Sequence, residues 1–111
     1  MSDKILLPDD REAKRLIIEI GKRMYDKNYC AANDGKISCR TADNALWVTP
    51  SGVSKGFMTE DILVKTDLSG NILENPGDRR ISSEVKLHLK VYQHRADVNA
   101  VVHAHPPAAT A

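Results

Sequence analysis

The run Asp97-Val98-Asn99-Ala100-Val101-Val102-His103 constrains this 111-residue chain more than any other. It reads as a strand, and it is the most apolar strand in the chain. A strand of that kind needs cover on its faces. His103 and His105 close it, two residues apart and followed by Pro106. Residues i and i+2 of a strand point to the same face, roughly 6 to 7 Å apart. Two imidazoles so placed can converge on one metal ion. The plain alternative is a pair of ordinary histidines at a strand end. Against it stands the need of buried ring nitrogens for partners.

The elements before this strand alternate between the two periods. Residues 8 to 28 read as a helix, with Pro8 in its first turn and Asp9 and Asp10 at the positive end of its dipole. Ala13, Leu16, Ile17, Ile20 and Met24 recur at helical spacing and make one apolar face. Lys14, Arg15, Lys22, Arg23 and Lys27 fall largely on the other, a solvated face. The small-residue turn Ala31 to Gly35 leads to strands over 36 to 40 and 45 to 49, which read as a hairpin. Thr59 caps a helical turn, 62 to 66 is a third strand, and Ile72-Leu73 pairs back across the turn at Leu68 to Asn71. Residues 74 to 81 are loop. Ser82 caps a second helix reaching about Arg95, with Glu84 in its first turn and Val85, Leu89 and Tyr92, broadened by Leu87 and Val91, on its apolar face. Pro106 to Ala111 looks like the first turn of another helix. A helix of one or two turns is not stable alone, so the expectation is a fragment, a truncated gene product or an unusual short form.

Length permits one domain with a modest core. Apolar content of 41% and charged content of 28% fit a soluble globular protein. A net charge of +1, with basic residues scattered, gives no field to recruit nucleic acid or an anionic membrane. No apolar stretch is long enough to cross a bilayer, and residues 1 to 10 are polar with no signal-peptide core. Cys30 and Cys39 have neither zinc nor redox spacing and read as plain thiols in a reducing cytoplasm.

Three clusters can carry chemistry. His103 and His105 leave a zinc site incomplete, and Glu84 is the best carboxylate to join them. Its plain alternative is a helix-dipole carboxylate. His88, one turn on, reads as a packed histidine, and His94 as a cation at the negative helix end. Ser82 and Ser83 at a helix N-terminus offer hydroxyls and free N–H groups to an anion, or simply cap. The glycine turns Asn33-Asp34-Gly35-Lys36 and Thr49-Pro50-Ser51-Gly52 expose N–H groups that can cradle phosphate, or merely reverse the chain. Together, an anion site beside a metal site suggests a phosphorylated substrate that also chelates a metal.

In this order and spacing, Ala32 to Arg40, Val48-Thr49-Pro50-Ser51-Gly52, Ser82-Ser83-Glu84 and Asn99 to Pro106 resemble the class II aldolase/adducin family. The resemblance spans nearly the whole chain but matches only the N-terminal half of family members. It implies an α/β fold, a central and mostly antiparallel sheet flanked by helices, of which residues 1–111 are the N-terminal part of a single domain. It implies a zinc-dependent lyase that cleaves a ketose 1-phosphate to dihydroxyacetone phosphate and an aldehyde. Glu84, His103 and His105 match metal-ligand positions, with Glu84 also the catalytic carboxylate. Lys36, Ser51, Gly52, Ser82 and Ser83 match the phosphate-binding positions. It further implies a cytoplasmic homotetramer acting on a small phosphorylated sugar. Two departures stand out. The family's third histidine and a proton-donating tyrosine would lie beyond Ala111, so the short chain is expected to be impaired. Lys36 replaces the asparagine usual in the phosphate loop, where it can pair with phosphate or crowd the pocket. A 4-epimerase or thiosugar-phosphate dehydratase of the family, or a non-catalytic adducin-like module, are the alternatives. An epimerase typically has aspartate at Glu84, and adducin-like members lose the metal ligands.

Overall fold

The structure is a computed structural model that describes residues 7–26, 36–81 and 83–103. Helix α1 (Asp10–Asp26) precedes strands β1 (Lys36–Arg40) and β2 (Leu46–Val48). A single 3-10 turn at Glu60–Ile62 leads into β3 (Val64–Thr66) and β4 (Ile72–Glu74). Helix α2 (Val85–His94) and strand β5 (Ala100–His103) complete the described elements. The five strands form one sheet in the order β4-β3-β2-β1-β5, and every pair is antiparallel. The chain leaves β4 at one edge, crosses the sheet as α2 and enters β5 at the other edge. This is the flanked antiparallel sheet that the resemblance implies.

The two helices lie on opposite faces, as strand alternation dictates. Ile37, Cys39 and Trp47 pack with Ala13, Ile17 and Met24 of α1. Leu46, Val48 and Val64 pack with Leu89 and Tyr92 of α2. Val101 of β5 joins this second cluster. Gly21 lets α1 lie close to the following loop, because a Cβ there would collide with the Lys55 carbonyl and the Met58 side chain. Lys14 is not simply solvated. Its Nζ lies 4.3 Å from the centre of the Trp47 ring.

Element boundaries differ from the sequence reading for local reasons. Helix α1 begins at Asp10, not Pro8, because the Asp9 carboxylate accepts the Glu12 N–H at 2.9 Å and caps it. The Asp9-x-x-Glu12 spacing carried that signal. The third strand begins at Val64, since the 3-10 turn absorbs Ile62. Thr59 is the N-cap of that turn, as expected, but its hydroxyl bonds the Asp61 carboxylate and not a backbone N–H. Helix α2 starts at Val85, so Glu84 sits just before it in a helical conformation. Leu87, placed on the apolar face by periodicity, is 55% exposed. Strand β5 begins at Ala100 instead of Asp97, whose carboxylate pairs with Arg95. The Ala31–Gly35 turn, Cys30, Ser82, His105 and the helical turn expected from Pro106 lie outside the described residues. Among the described residues, no helix is long and apolar enough to cross a membrane.

Candidate functional site

Strand β1, Lys-Ile-Ser-Cys-Arg, is buried along its whole length although three of its five residues are polar. Period-two alternation sends Lys36, Ser38 and Arg40 to the α2 face. Burying such groups is tolerable only when they are bonded. Arg40 meets the end of α2, donating to the carbonyls of Tyr92 at 2.9 Å and Ala96 at 3.2 Å. Ser38 Oγ meets its middle, 2.6 Å from His88 Nδ1 and 2.9 Å from the Tyr92 hydroxyl. Lys36 lies toward its start, with Nζ donating to the Thr49 carbonyl at 2.5 Å. The Ser38 and Arg40 bonds hold α2 in register on the sheet and so determine where Glu84 stands.

Glu84 stands against β5. Its Oε2 is 3.2 Å from Nδ1 of His103, and both side chains are about one-third exposed, at 36% and 32%. His103 pairs across the sheet with Lys36, and Val101 with Ser38. Directly paired residues share a face, so His103, Lys36, Ser38 and His88 belong to one layer. Burial pushes the Lys36 ammonium down to about 8, with the Glu84 carboxylate opposing the shift and the Lys55 cation adding to it. Lys55 is itself almost fully buried, and its Nζ donates to the Val53 carbonyl at 3.0 Å. Sequence reasoning passed over Lys55, since nothing in Val53 to Phe57 has strand or helix periodicity.

The second glycine turn closes the same end of the sheet. Thr49 accepts the Lys36 ammonium through its carbonyl, and its hydroxyl accepts the Ile37 N–H at 3.1 Å. Ser51 N–H donates to the Arg80 carbonyl at 2.8 Å, which ties the turn to the segment entering α2. Gly52 has φ 75°, a left-handed conformation that favours glycine. Ser83 is exposed in the turn before α2, and its carbonyl accepts the Lys86 N–H at 3.0 Å. The structure thus brings Lys36, Ser51, Gly52, Ser83, Glu84 and His103 to one end of the sheet. It leaves Ser82 and His105 undescribed.

His88 is fully buried, as its reading as a packed histidine requires. Burial, then the Lys36 charge, pushes it down to about 4, so it is neutral at ordinary pH. Its Nε2 has no hydrogen-bond partner, at a cost of about 1–3 kcal/mol for a buried polar group. His94 is exposed in the last turn of α2, where Arg40 takes the carbonyls of the helix end. Cys39 is buried and its thiol pushed up to about 11, which makes it a poor nucleophile.

Glu84 and His103 offer one oxygen and one nitrogen at a common point, a donor pair suited to zinc. Among the described residues no three His, Cys, Asp or Glu side chains converge. His105 lies outside them.

A flanked antiparallel sheet with a carboxylate facing a strand-end histidine defines a class that comparison with known proteins makes explicit. Residues 15–111 match the model of the class II aldolase and adducin N-terminal domain, and the chain belongs to that family. An L-fuculose phosphate aldolase of Methanococcus maripaludis is 38% identical over 94 residues, which cover 85% of this chain and 49% of that protein. A methylthioribulose-1-phosphate dehydratase of Gluconobacter oxydans is 36% identical, over 88% of this chain and 46% of that protein. The solved structure of an L-fuculose 1-phosphate aldolase superposes with a TM-score of 0.78 at 33% identity, over 89% of this chain and 46% of that one. The chain spans about half the length of the relatives it matches.

Proposed function

We propose that the protein is a zinc-dependent class II aldolase-type lyase that cleaves a ketose 1-phosphate to dihydroxyacetone phosphate and an aldehyde. Residues 1–111 form the N-terminal part of its single domain. The observation that carries the reading is the 3.2 Å approach of Glu84 Oε2 to His103 Nδ1, beside buried Lys36. Glu84, His103 and His105 are the residues that would hold zinc, and a bound zinc ion supplies Lewis acidity toward the substrate's oxygens. In the cleavage a hydroxyl proton leaves, the C–C bond breaks, its electrons pass toward the ketone, and a proton returns to carbon. Glu84 moves the proton as general base and then acid. Lys36 supplies positive charge to the phosphate. The Ser51 hydroxyl and the Gly52 backbone N–H, with the Ser82 and Ser83 hydroxyls at the start of α2, supply directed donors. The protein works in the cytoplasm as a homo-oligomer, a tetramer by analogy with the family. Likeness to the dehydratase favours a second reading, a lyase that eliminates water from a thiosugar phosphate.

The test is zinc titration by calorimetry, followed by cleavage of L-fuculose 1-phosphate with released dihydroxyacetone phosphate measured. Zinc should bind at one per chain, and E84Q and H103A should each weaken it at least tenfold. Zinc affinity that neither substitution changes would overturn the site. Dehydration of methylthioribulose 1-phosphate without cleavage of the fuculose ester would select the second reading.

A further inference from the structure

His88 is a buried group in this layer whose hydrogen bonding is half complete. Its Nδ1 is committed to Ser38 Oγ at 2.6 Å, while Nε2 is buried and has no partner. The direction of the bonds follows from counting protons. Tyr92 is almost wholly buried, and among the described residues its phenol proton has no acceptor except Ser38 Oγ. Tyr92 therefore turns its own proton to Ser38 Oγ, 2.9 Å away. Ser38 has one proton left to give, and it goes to His88 Nδ1. A neutral imidazole that accepts at Nδ1 carries its hydrogen on Nε2.

That N–H lies among the groups assigned to the site. Glu84 and His88 are four residues apart on one helical face, and Ser38 and Lys36 are two apart on one strand face. The charges that act on the His88 ring are those of Lys36, His103 and Glu84. A buried donor without a partner is rare in a finished fold. Beside a ligand site it is a donor waiting for the ligand.

We infer that the relay Tyr92–Ser38 fixes His88 as the Nε2–H form, and that this N–H donates to an oxygen of the bound sugar phosphate. His88 is then a substrate-contacting group in addition to Glu84, His103 and Lys36, and Ser38 is its positioning residue. The inference deepens the reading above and rests on it for the nature of the ligand.

Two substitutions separate the ring's two edges. The short amide of H88N reaches the Nδ1 position and keeps the Ser38 bond, but it has nothing at Nε2. The longer amide of H88Q reaches the Nε2 position. The protein is titrated with dihydroxyacetone phosphate in the presence of zinc, its Tm is measured, and long-range 15N NMR reports the tautomer. The expected result is an Nε2–H imidazole whose Nε2 resonance moves on binding. H88N should bind at least tenfold more weakly at a Tm within about 2 °C of the parent, and H88Q should recover binding to within about threefold. A purely structural histidine would shift Tm and leave affinity alone. An Nδ1–H tautomer, or a parent affinity that H88N preserves, overturns this inference and leaves the proposed function standing. A parent that does not bind dihydroxyacetone phosphate overturns both.

Discussion

The two faces of the sheet are built on different principles. Toward α1 the contact is a close apolar fit: Ala13 and Ile17 against Ile37 and Trp47, all almost wholly buried. Its polar ties are at the rim, where Asp10 takes the Trp47 indole N–H at 3.0 Å and the Lys65 ammonium at 2.9 Å. Toward α2 strand β1 presents Lys36, Ser38 and Arg40 instead, and Ser38 and Arg40 join helix and sheet through hydrogen bonds in the interior. An apolar face tolerates small slides, because dispersion has no direction. A row of directed bonds does not. The face that must deliver Glu84 to His103 is the one held by directed bonds, and it carries a buried cation and an unpartnered imidazole nitrogen as the cost.

That contrast predicts where stability resides. Ile17→Ala removes a fully buried side chain from the α1 face and should lower unfolding free energy by about 2–5 kcal/mol in urea denaturation. Affinity for zinc should stay within about twofold of the parent, because the α2 face carries the site. A loss below about 1 kcal/mol, or a loss of zinc binding in a folded variant, would break the division between the faces.

Next in size is the effect of Lys36, which works in the opposite sense. Its pKa is pushed down to about 8 from an ordinary 10.5. The folded state therefore binds fewer protons than the unfolded chain between these values, and stability rises with pH across that window. Below about 8 the ammonium is charged in both states and the full penalty of burying it is present, roughly 3 kcal/mol. Lys36→Met should be more stable than the parent at pH 7 by up to that amount, and the rise between pH 8 and 10.5 should disappear. Denaturation midpoints taken at intervals from neutral pH up through this window check it. A parent whose stability falls monotonically across the window would show that Lys36 is not a strained cation.

The sequence carried the α1 face better than the α2 face, for a physical reason. Apolar spacing in residues 13 to 24 and the Leu46-Trp47-Val48 strand report burial directly, so α1 and the β1–β2 hairpin were legible. On the α2 side the buried residues include, beside Leu46, Val48, Val64, Leu89 and Tyr92, the polar Lys36, Ser38, Arg40 and His88, types that composition assigns to the surface. Partners 50 to 56 residues away, on α2 and just after it, explain the burial of Ser38, Arg40 and His88, and the Thr49 carbonyl that of Lys36. Glu84, His103 and Lys36 were legible as a set through motif spacing, yet their convergence depends on the β1–β5 register, which no local pattern states. Lys55 and the Ser38–Tyr92 bond had no sequence signal at all. Asp9 did have one, in its spacing to Glu12, beside a proline that drew the helix start two residues early.

The smallest effect concerns the far end of α2, and it asks whether directed bonds, and not charge, hold that helix. Arg40 spreads two guanidinium nitrogens over the carbonyls of Tyr92 and Ala96, and its Cζ lies 5.2 Å from the Tyr92 ring centre. Arg40→Lys keeps the charge near the helix C-terminus but cannot serve two carbonyls from the same fork. One buried carbonyl loses its donor, which costs about 1–3 kcal/mol. Part of that is offset, since Arg40 Nε is buried without a partner and lysine has no such atom. The loss should therefore fall toward the lower end and be local. Hydrogen exchange reads it directly: the Arg95 amide, bonded to the Val91 carbonyl at 2.9 Å, should lose protection several-fold while amides of β2 and β3 do not. If charge alone anchors the helix, Arg40→Lys will leave that amide as protected as in the parent. The α2 face would then be held much as the α1 face is, without directional control over Glu84.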